Sequence, residues 1–115
     1  MSAEPIRNAI DAPTFAELEA SAGADFAREL IDTFLEEAPA MLAELRGALA
    51  AGNAEGFRRA AHSLKSNANT FGALALGARA RELELGGMPA DAQPLDALDA
   101  DYARAAAALA ELRDA

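Results

Sequence analysis

Residues 54–72 read AEGFRRAAHSLKSNANTFG, and this stretch decides the fold. Apolar side chains recur in it every three or four positions, which predicts an amphipathic helix over 54–70 with one face in a core. The apolar stripe comprises Phe57, Ala61, Leu64, Ala68 and Phe71. Gly72 ends the pattern, and the preceding Gly52-Asn53 pair is typical of a helix stop followed by a new N-cap.

Four more segments carry helical patterns, and short connections with glycine or proline separate them. The expected helices cover residues 14–21, 24–51, 74–85 and 91 or 94 to 112. A sequence that resembles a capping box predicts that the first of them begins at Thr14. Pro39 predicts a kink or a lost hydrogen bond within the second. The core-facing residues expected on that second helix are Phe26, Leu30, Phe34, Met41, Leu45 and Leu49.

These patterns predict an all-α protein, namely an antiparallel four-helix bundle with a short additional N-terminal helix that closes one end. Residues 1–12 are expected to form a flexible N-terminal arm, and residues 13–115 a single domain. The stripes would also suit a coiled-coil oligomer, but none is long enough and the short connections favour folding back. A monomer is therefore the expected state.

Composition limits the function. The 115 residues include 19 acids and 10 basic residues, a net charge of −9, and no cysteine. The excess of negative charge argues against binding to nucleic acid, and the lack of cysteine removes disulfides and thiolate sites. No apolar run approaches the roughly 20 residues that span a bilayer, and the first residues lack the layout of a secretory signal. We therefore expect a cytoplasmic protein with neither a membrane nor a nucleic-acid partner.

One region departs from this acidic balance. Residues 57–81 contain no acid but hold five of the ten basic residues. The only histidine, His62, and the only lysine, Lys65, lie in this region. A spacing of three places both on one face of a helix, and at about 100° per residue His62 falls opposite the apolar stripe, where it should face solvent. The residues on this solvent-facing stripe are Arg58, His62, Lys65, Ser66 and Asn69.

The chemistry of these side chains favours phosphoryl transfer. A solvent-facing imidazole is partly neutral and nucleophilic near neutral pH, and Lys65 would neutralise part of the charge of a phosphoryl group. Ser66 or Asn69 would donate hydrogen bonds to the phosphoryl oxygens. The sequence has no glycine-rich phosphate loop and no kinase signature set, so the phosphoryl group is expected to come from a partner rather than from ATP.

Two other kinds of site fit these residues poorly. An ordinary zinc site needs several histidines or cysteines, so that only an all-carboxylate site would remain open. A di-iron bundle needs Glu-x-x-His, whereas Arg59 stands three positions before His62. A serine triad would need a nucleophile elbow, which does not surround His62. We therefore expect the chain to carry no metal or cofactor of its own.

The stretch Ala60–Ala68, followed by residues 71–73 (FGA), resembles a family motif. It is similar to the His-x-Leu-Lys-Gly-x-Ala core, with its Leu/Phe-Gly-Ala close, of histidine-containing phosphotransfer (Hpt) domains. Residues 30–39 (LIDTFLEEAP) resemble the preceding helix of that family, and residues 82–84 (ELE) resemble the end of its fourth helix. One departure is Ser66, where the family usually has glycine, although serine is small enough to permit close approach.

The resemblance implies a four-helix bundle with His62 as the phospho-accepting residue and Lys65 as the phosphate-neutralising residue. It also implies a partner, the receiver domain of a response regulator or of a hybrid sensor histidine kinase. The aspartyl phosphate of that domain would exchange with the imidazole, assisted by the receiver's own Mg²⁺. Arg58 and Arg59 would help to dock the acidic pocket of the receiver.

Two classes of function remain open. A phosphorelay carrier would be a stoichiometric intermediate without ATP binding or autokinase activity. A phosphorylation-independent adaptor would instead inhibit a sensor kinase or a response regulator. The phosphotransfer module of a chemotaxis-type kinase is a third variant, because residues 69–72 (NTFG) are similar there, but without a kinase core it would transfer only in trans. Replacing His62 with glutamine separates the carrier, which would lose function, from the adaptor, which would keep it.

Overall fold

A computed structural model of the chain describes residues 9–115. Five helices occur in this range, and no strand accompanies them there. The helices are α1 (Ala12–Ala22), α2 (Ala24–Ala51), α3 (Ala54–Phe71), α4 (Leu74–Gly86) and α5 (Gln93–Asp114). The prediction of an all-α protein is confirmed, and each predicted helix is present with ends shifted by only a few residues.

Helix α3 forms where the apolar period predicted it and buries the whole of its apolar stripe. All five stripe residues, Phe57, Ala61, Leu64, Ala68 and Phe71, lie in the core. The side chain of Asn53 caps the helix by accepting a hydrogen bond of 3.0 Å from the backbone N–H of Gly56. At the other end Gly72 takes a left-handed conformation, and its N–H donates to the carbonyls of Ala68 and Asn69.

The contacts between helices define an antiparallel bundle. Helix α3 turns back on α2, so that the rings of Phe34 and Phe71 lie 5.3 Å apart, and Phe34 also contacts Tyr102 of α5. Two sets of ion pairs join α2 to α5. Arg46 pairs with Asp96 and Asp99 near one end, and Arg113 pairs with Asp32 near the other. Because the early part of α2 meets the late part of α5, these two helices run in opposite directions.

One buried acid joins α4 to α5. The side chain of Asp101 is 6% exposed and accepts hydrogen bonds from Arg79 of α4 and from Arg104 one turn further along α5. A buried carboxylate is costly unless it is paired, and two guanidinium groups satisfy both of its oxygens. Arg79 is therefore turned toward α5, although the sequence placed it in one basic region with His62.

The predicted core face of α2 was partly wrong. Phe26 is 50% exposed and Leu30 is only partly buried, whereas Ala27 and Ile31 are fully buried in their place. The helix is therefore rotated at its start by roughly one residue, about 100°, from the face that the larger side chains suggested. Pro39 lies inside α2 without ending it.

Helix α1 starts earlier than predicted and uses a different cap. Asp11, rather than Thr14, is the N-cap: its carboxylate accepts from the backbone N–H of Thr14 at 3.2 Å and from its hydroxyl at 2.6 Å. Ile10 is buried, and the N–H of Asp11 donates to the carbonyl of Gly72 at 2.7 Å. Residues 9–12, which the sequence analysis assigned to the arm, thus belong to the folded part, and residues 1–8 lie outside the described residues.

Gly72 is predicted to be the glycine least able to accept a side chain. Its φ is +85°, and a Cβ built on it would lie 2.8 Å from the backbone oxygen of Asp11. We expect Gly72→Ala to destabilise the protein by about 2–5 kcal/mol, since it adds a backbone clash to the left-handed conformation. Gly52, with φ +69° and open space around it, is the matched control. Gly52→Ala should cost only about 1–2 kcal/mol. Urea unfolding measures both, and equal losses would contradict the role of the close approach to Asp11.

Candidate functional site

His62 lies in the middle of α3 on the side of the helix that faces away from the core. Its side chain is 55% exposed, as the helical projection predicted. Small residues, Ser63 and Ser66, are exposed beside it. The imidazole is therefore accessible to a group that approaches from outside the bundle.

The carboxylate of Glu84, on α4, contacts both His62 and Lys65. Oε2 of Glu84 lies 2.7 Å from Nδ1 of His62, and Oε1 of the same residue lies 2.9 Å from Nζ of Lys65. In the neutral imidazole, an Nδ1–H that donates to this carboxylate leaves Nε2 without a proton. The free electron pair of the imidazole is then on the nitrogen that is not tied to the protein.

Glu84 is well suited to remain charged. Its side chain is 10% exposed, and the ion pair with Lys65 and the hydrogen bond with His62 hold the pKa of its carboxyl below the ordinary value. The ammonium of Lys65 is the larger cause of this lowered pKa. At neutral pH the carboxylate of Glu84 therefore lies between the side chains of His62 and Lys65 and contacts both.

The structure corrects the predicted environment of Lys65. The projection placed this side chain in solvent beside His62, but it is only 23% exposed and reaches sideways to α4. The physical reason is the neighbouring helix, which covers this edge of α3 and supplies an acid. Lys65 is therefore already ion-paired with Glu84.

Ser66 and Asn69 lie on the predicted face, but their side chains do not contact His62, Lys65 or Glu84 by a hydrogen bond. Both residues are exposed, and neither side chain makes a hydrogen bond with any residue from 9 to 115. The amide of Asn69 packs on Gly77 of α4, where a Cβ would come within 2.1 Å of its oxygen. The glycine thus gives Asn69 room between the two helices, one turn beyond Lys65.

The basic residues around His62 differ in their surroundings. Arg58 lies one turn before His62 on the same face and pairs with Glu55. Arg59 is displaced toward α2 and lines a groove of about 520 Å³ with small residues of both helices. Neither Arg59 nor Arg81 forms an ion pair within the described part of the chain. Of the five basic residues in 57–81, Arg59 and Arg81 are therefore the two that the described part of the chain leaves outside ion pairs.

The described residues were also compared with the requirements of a metal site and of a membrane-spanning helix. Across residues 9–115, no three His, Cys, Asp or Glu side chains are grouped so that they could hold a metal ion. In the same range, no helix combines the length and the apolar content that crossing a membrane requires.

Comparison with known proteins identifies the family. The sequence profile of the Hpt domain matches residues 29–108, which include most of α2, all of α3 and α4, and most of α5. The chain belongs to the Hpt domain family. Neither the curated protein sequences nor the solved structures that were searched contain a match.

Membership of this family gives the broad function. Hpt domains are helical bundles that serve histidine phosphotransfer in two-component phosphorelays, where they interact with receiver domains. The resemblance inferred from the sequence is therefore confirmed. Helix α1 lies outside the matched range.

Glu84 is the residue that sequence reasoning did not assign to the site. It was noted only as part of a segment resembling the end of a family helix. The spacing between residues 62 and 84 carries no helical period, because the two residues lie on different helices. Their contact follows from the antiparallel pairing of α3 with α4. The signal in the sequence was the pair of acids in residues 82–84, which directly follows the acid-free stretch 57–81.

The lowered pKa of Glu84 predicts a pH-dependent contribution to stability. A carboxyl with a folded pKa below its unfolded pKa stabilises the protein above the unfolded value and loses this effect as the pH falls through the folded value. Glu84→Gln should therefore lower the free energy of unfolding at pH 7. Its difference from the wild type should shrink below the ordinary pKa of 4.5.

Urea unfolding at pH 7 and at about pH 3 measures this difference. Glu82→Gln is the matched control, because Glu82 is exposed on the same helix and forms no ion pair with residues 9–115. If both substitutions change the unfolding free energy equally at each pH, the ion pair with Lys65 does not stabilise the fold.

Proposed function

We propose that the chain is a phosphorelay carrier that accepts a phosphoryl group on His62 from the aspartyl phosphate of a receiver domain. It then passes the group to the receiver domain of a response regulator. The observation that supports this most directly is the contact of Nδ1 with Glu84, because a neutral imidazole that donates its Nδ1–H to this carboxylate has its electron pair on Nε2, and the side chain is 55% exposed.

The proposed transfer forms one bond and breaks one bond. The electron pair of Nε2 attacks the phosphorus, the bond from phosphorus to the aspartyl oxygen breaks, and that oxygen leaves as part of a carboxylate. Nδ1 keeps its proton, so the phosphorylated ring carries a positive charge beside the carboxylate of Glu84. The same charge makes the ring a good leaving group for the second transfer, in which the imidazole returns to its neutral form.

Lys65 is proposed to neutralise part of the phosphoryl charge. Its ammonium lies one turn from His62 and is held in place by Glu84 at 2.9 Å. Phosphoryl transfer depends largely on positioning and charge, so a fixed ammonium near the reacting nitrogen lowers the barrier. Ser66 and Asn69, both exposed on this face, are proposed to donate hydrogen bonds to the phosphoryl oxygens.

The proposed partners are the receiver domains of response regulators and of hybrid sensor histidine kinases. Arg58 and Arg59 would contribute positive charge to the encounter with the acidic pocket of the receiver, which chiefly raises the association rate. In this scheme the receiver supplies the Mg²⁺ that assists the transfer, and the Hpt domain contributes no cofactor.

Label transfer tests the proposed function. Receiver domains from the same organism, phosphorylated with radiolabelled phosphate, are mixed with the wild type and with His62→Gln. We expect label on the wild type only, lost in acid and stable in alkali, as a phosphohistidine requires. Label on both proteins, or acid-stable label, would show that His62 is not the acceptor.

The same experiment separates the carrier from an adaptor. If receivers bind the wild type and His62→Gln equally but no label reaches either protein, the chain binds its partner without transfer. That result would overturn the carrier and leave an Hpt-like bundle that acts by binding alone.

Lys65→Ala should slow the transfer about tenfold to a hundredfold, because it removes the ammonium nearest the phosphoryl site. Lys65→Arg is the matched control, since it keeps the positive charge and should retain more of the rate. Rapid-quench measurement of label transfer gives both rates. Transfer by Lys65→Ala at the wild-type rate would contradict the role of charge neutralisation.

A further inference from the structure

Asp101 of α5 is the one charged residue that the fold buries among residues 9–115. Its carboxylate accepts through Oδ2 from Arg79 of α4 and through Oδ1 from Arg104. Arg104 lies on the same helix as Asp101, so the contact with Arg79 is the one that reaches another helix. Arg79 and Asp101, here called the α4–α5 ion pair, therefore tie α4 to α5 at a buried position.

Apolar burial alone defines the rotation of α4 about its axis only weakly. Leu76, Ala80 and Leu83 are buried, whereas Leu74, Ala78 and Leu85 are exposed. At 100° per residue each exposed residue lies about 200° from the buried residue of the same type two positions away. Rotating the helix would thus exchange apolar side chains for similar ones. No side chain caps the N-terminus of α4 within the described part of the chain, so a cap does not fix the rotation either.

Polar contacts on two different edges of α4 define this rotation more sharply. Glu84 follows Arg79 by five residues, which places the two about 140° apart around the helix, one toward α3 and the other toward α5. A rotation of about 20° would move an atom about 6 Å from the helix axis by about 2 Å. That displacement would break the 2.7 Å contact between Oε2 of Glu84 and Nδ1 of His62. The contact at the α5 edge and the contact at the phosphotransfer site are therefore coupled through one short helix.

We propose that Asp101 is a positioning residue for phosphotransfer: through Arg79 it fixes the rotation of α4 and so keeps the carboxylate of Glu84 against His62. Asp101 touches neither His62 nor Glu84 and acts only through the helix between them. Buried ionic groups often add little net stability, and their best-attested use is to select one arrangement of packed elements. The α4–α5 ion pair has this use here.

The consequence for the chemistry is the position of one proton, and this inference therefore rests on the proposed function. With Glu84 in contact, the neutral imidazole of His62 keeps its proton on Nδ1 and its electron pair on Nε2. When α4 is free to rotate, the proton is shared between the two nitrogens. A smaller fraction of the rings then presents the electron pair at Nε2.

Nitrogen NMR of the imidazole tests the inference without any partner. His62 is the only histidine, so the ring signals belong to one residue. Above about pH 8 an ordinary imidazole is neutral, and proton–nitrogen correlation spectra distinguish its protonated nitrogen from the other. We expect the proton on Nδ1 in the wild type. In Asp101→Asn and in Arg79→Ala the ring signals should move most of the way toward those of Glu84→Ala, which lacks the carboxylate.

Each of the two substitutions has a matched control. Asp99→Asn makes the same change two residues earlier on α5, where Asp99 pairs with Arg46 of α2 rather than with α4. Arg81→Ala removes an exposed arginine of α4 that forms no ion pair with residues 9–115. Both controls should keep the ring signals of the wild type. Unchanged signals in the two test variants, or an equal movement in the controls, would overturn the inference.

Folding is checked by circular dichroism and urea unfolding. Arg79→Ala leaves Asp101 paired with Arg104, so it removes the link to α4 without leaving the buried carboxylate unpaired. If Asp101→Asn does not fold, the ring signals of Arg79→Ala alone support or overturn the inference.

Label transfer from a phosphorylated receiver domain measures the effect on the reaction. Asp101→Asn should slow the transfer about tenfold, because a small misplacement of Glu84 reduces the reactive fraction of His62. Combined with Glu84→Ala it should cause no further loss, since both substitutions act on the same contact. Losses that multiply would overturn the inference. If the wild type accepts no label, the proposed function fails separately, and the ring signals of the free protein still test the role of Asp101.

Discussion

The close antiparallel packing of α3 against α4 is the constraint on which the site depends. Gly77 lets α4 approach until it touches the amide of Asn69, and two turns later Glu84 reaches the imidazole of His62 and the ammonium of Lys65. A larger residue at position 77 would have to displace Asn69 or separate the helices. The contact of Glu84 with His62 thus depends on a contact between helices about 10 Å away.

Much of the fold could be predicted from the sequence, because the apolar periodicity, the capping residues and the glycine or proline breaks all indicated the same helices. In α3 the apolar stripe, the cap at Asn53 and the stop at Gly72 all matched the structure. The start of α2 was less predictable, since a projection weights Phe26 more than Ala27, although the helix buries Ala27 and leaves Phe26 exposed. For α1, the resemblance of residues 14–17 to a capping box led to a predicted start at Thr14, whereas the helix is capped by Asp11.

The site was predictable only where it lies on one helix. The exposure of His62 followed from the period of α3, and the Hpt resemblance supplied the expected role. The position of the Lys65 side chain and its contact with Glu84 could not be predicted from the sequence, because they depend on how α4 packs against α3. Spacing within a sequence describes one face of one helix, whereas the charge balance at His62 is set by three side chains on two helices.

The ion pairs between α2 and α5 have a consequence for how the bundle can move. Arg46 with its two aspartates and Arg113 with Asp32 occupy separate ends of the same seam. A slide of one helical turn, about 5.4 Å, would break both at once. Exposed ion pairs contribute little to stability, so together they select the register of the helices more than they hold the bundle together. The seam between α2 and α5 therefore resists sliding, and we expect these two helices to move as one body.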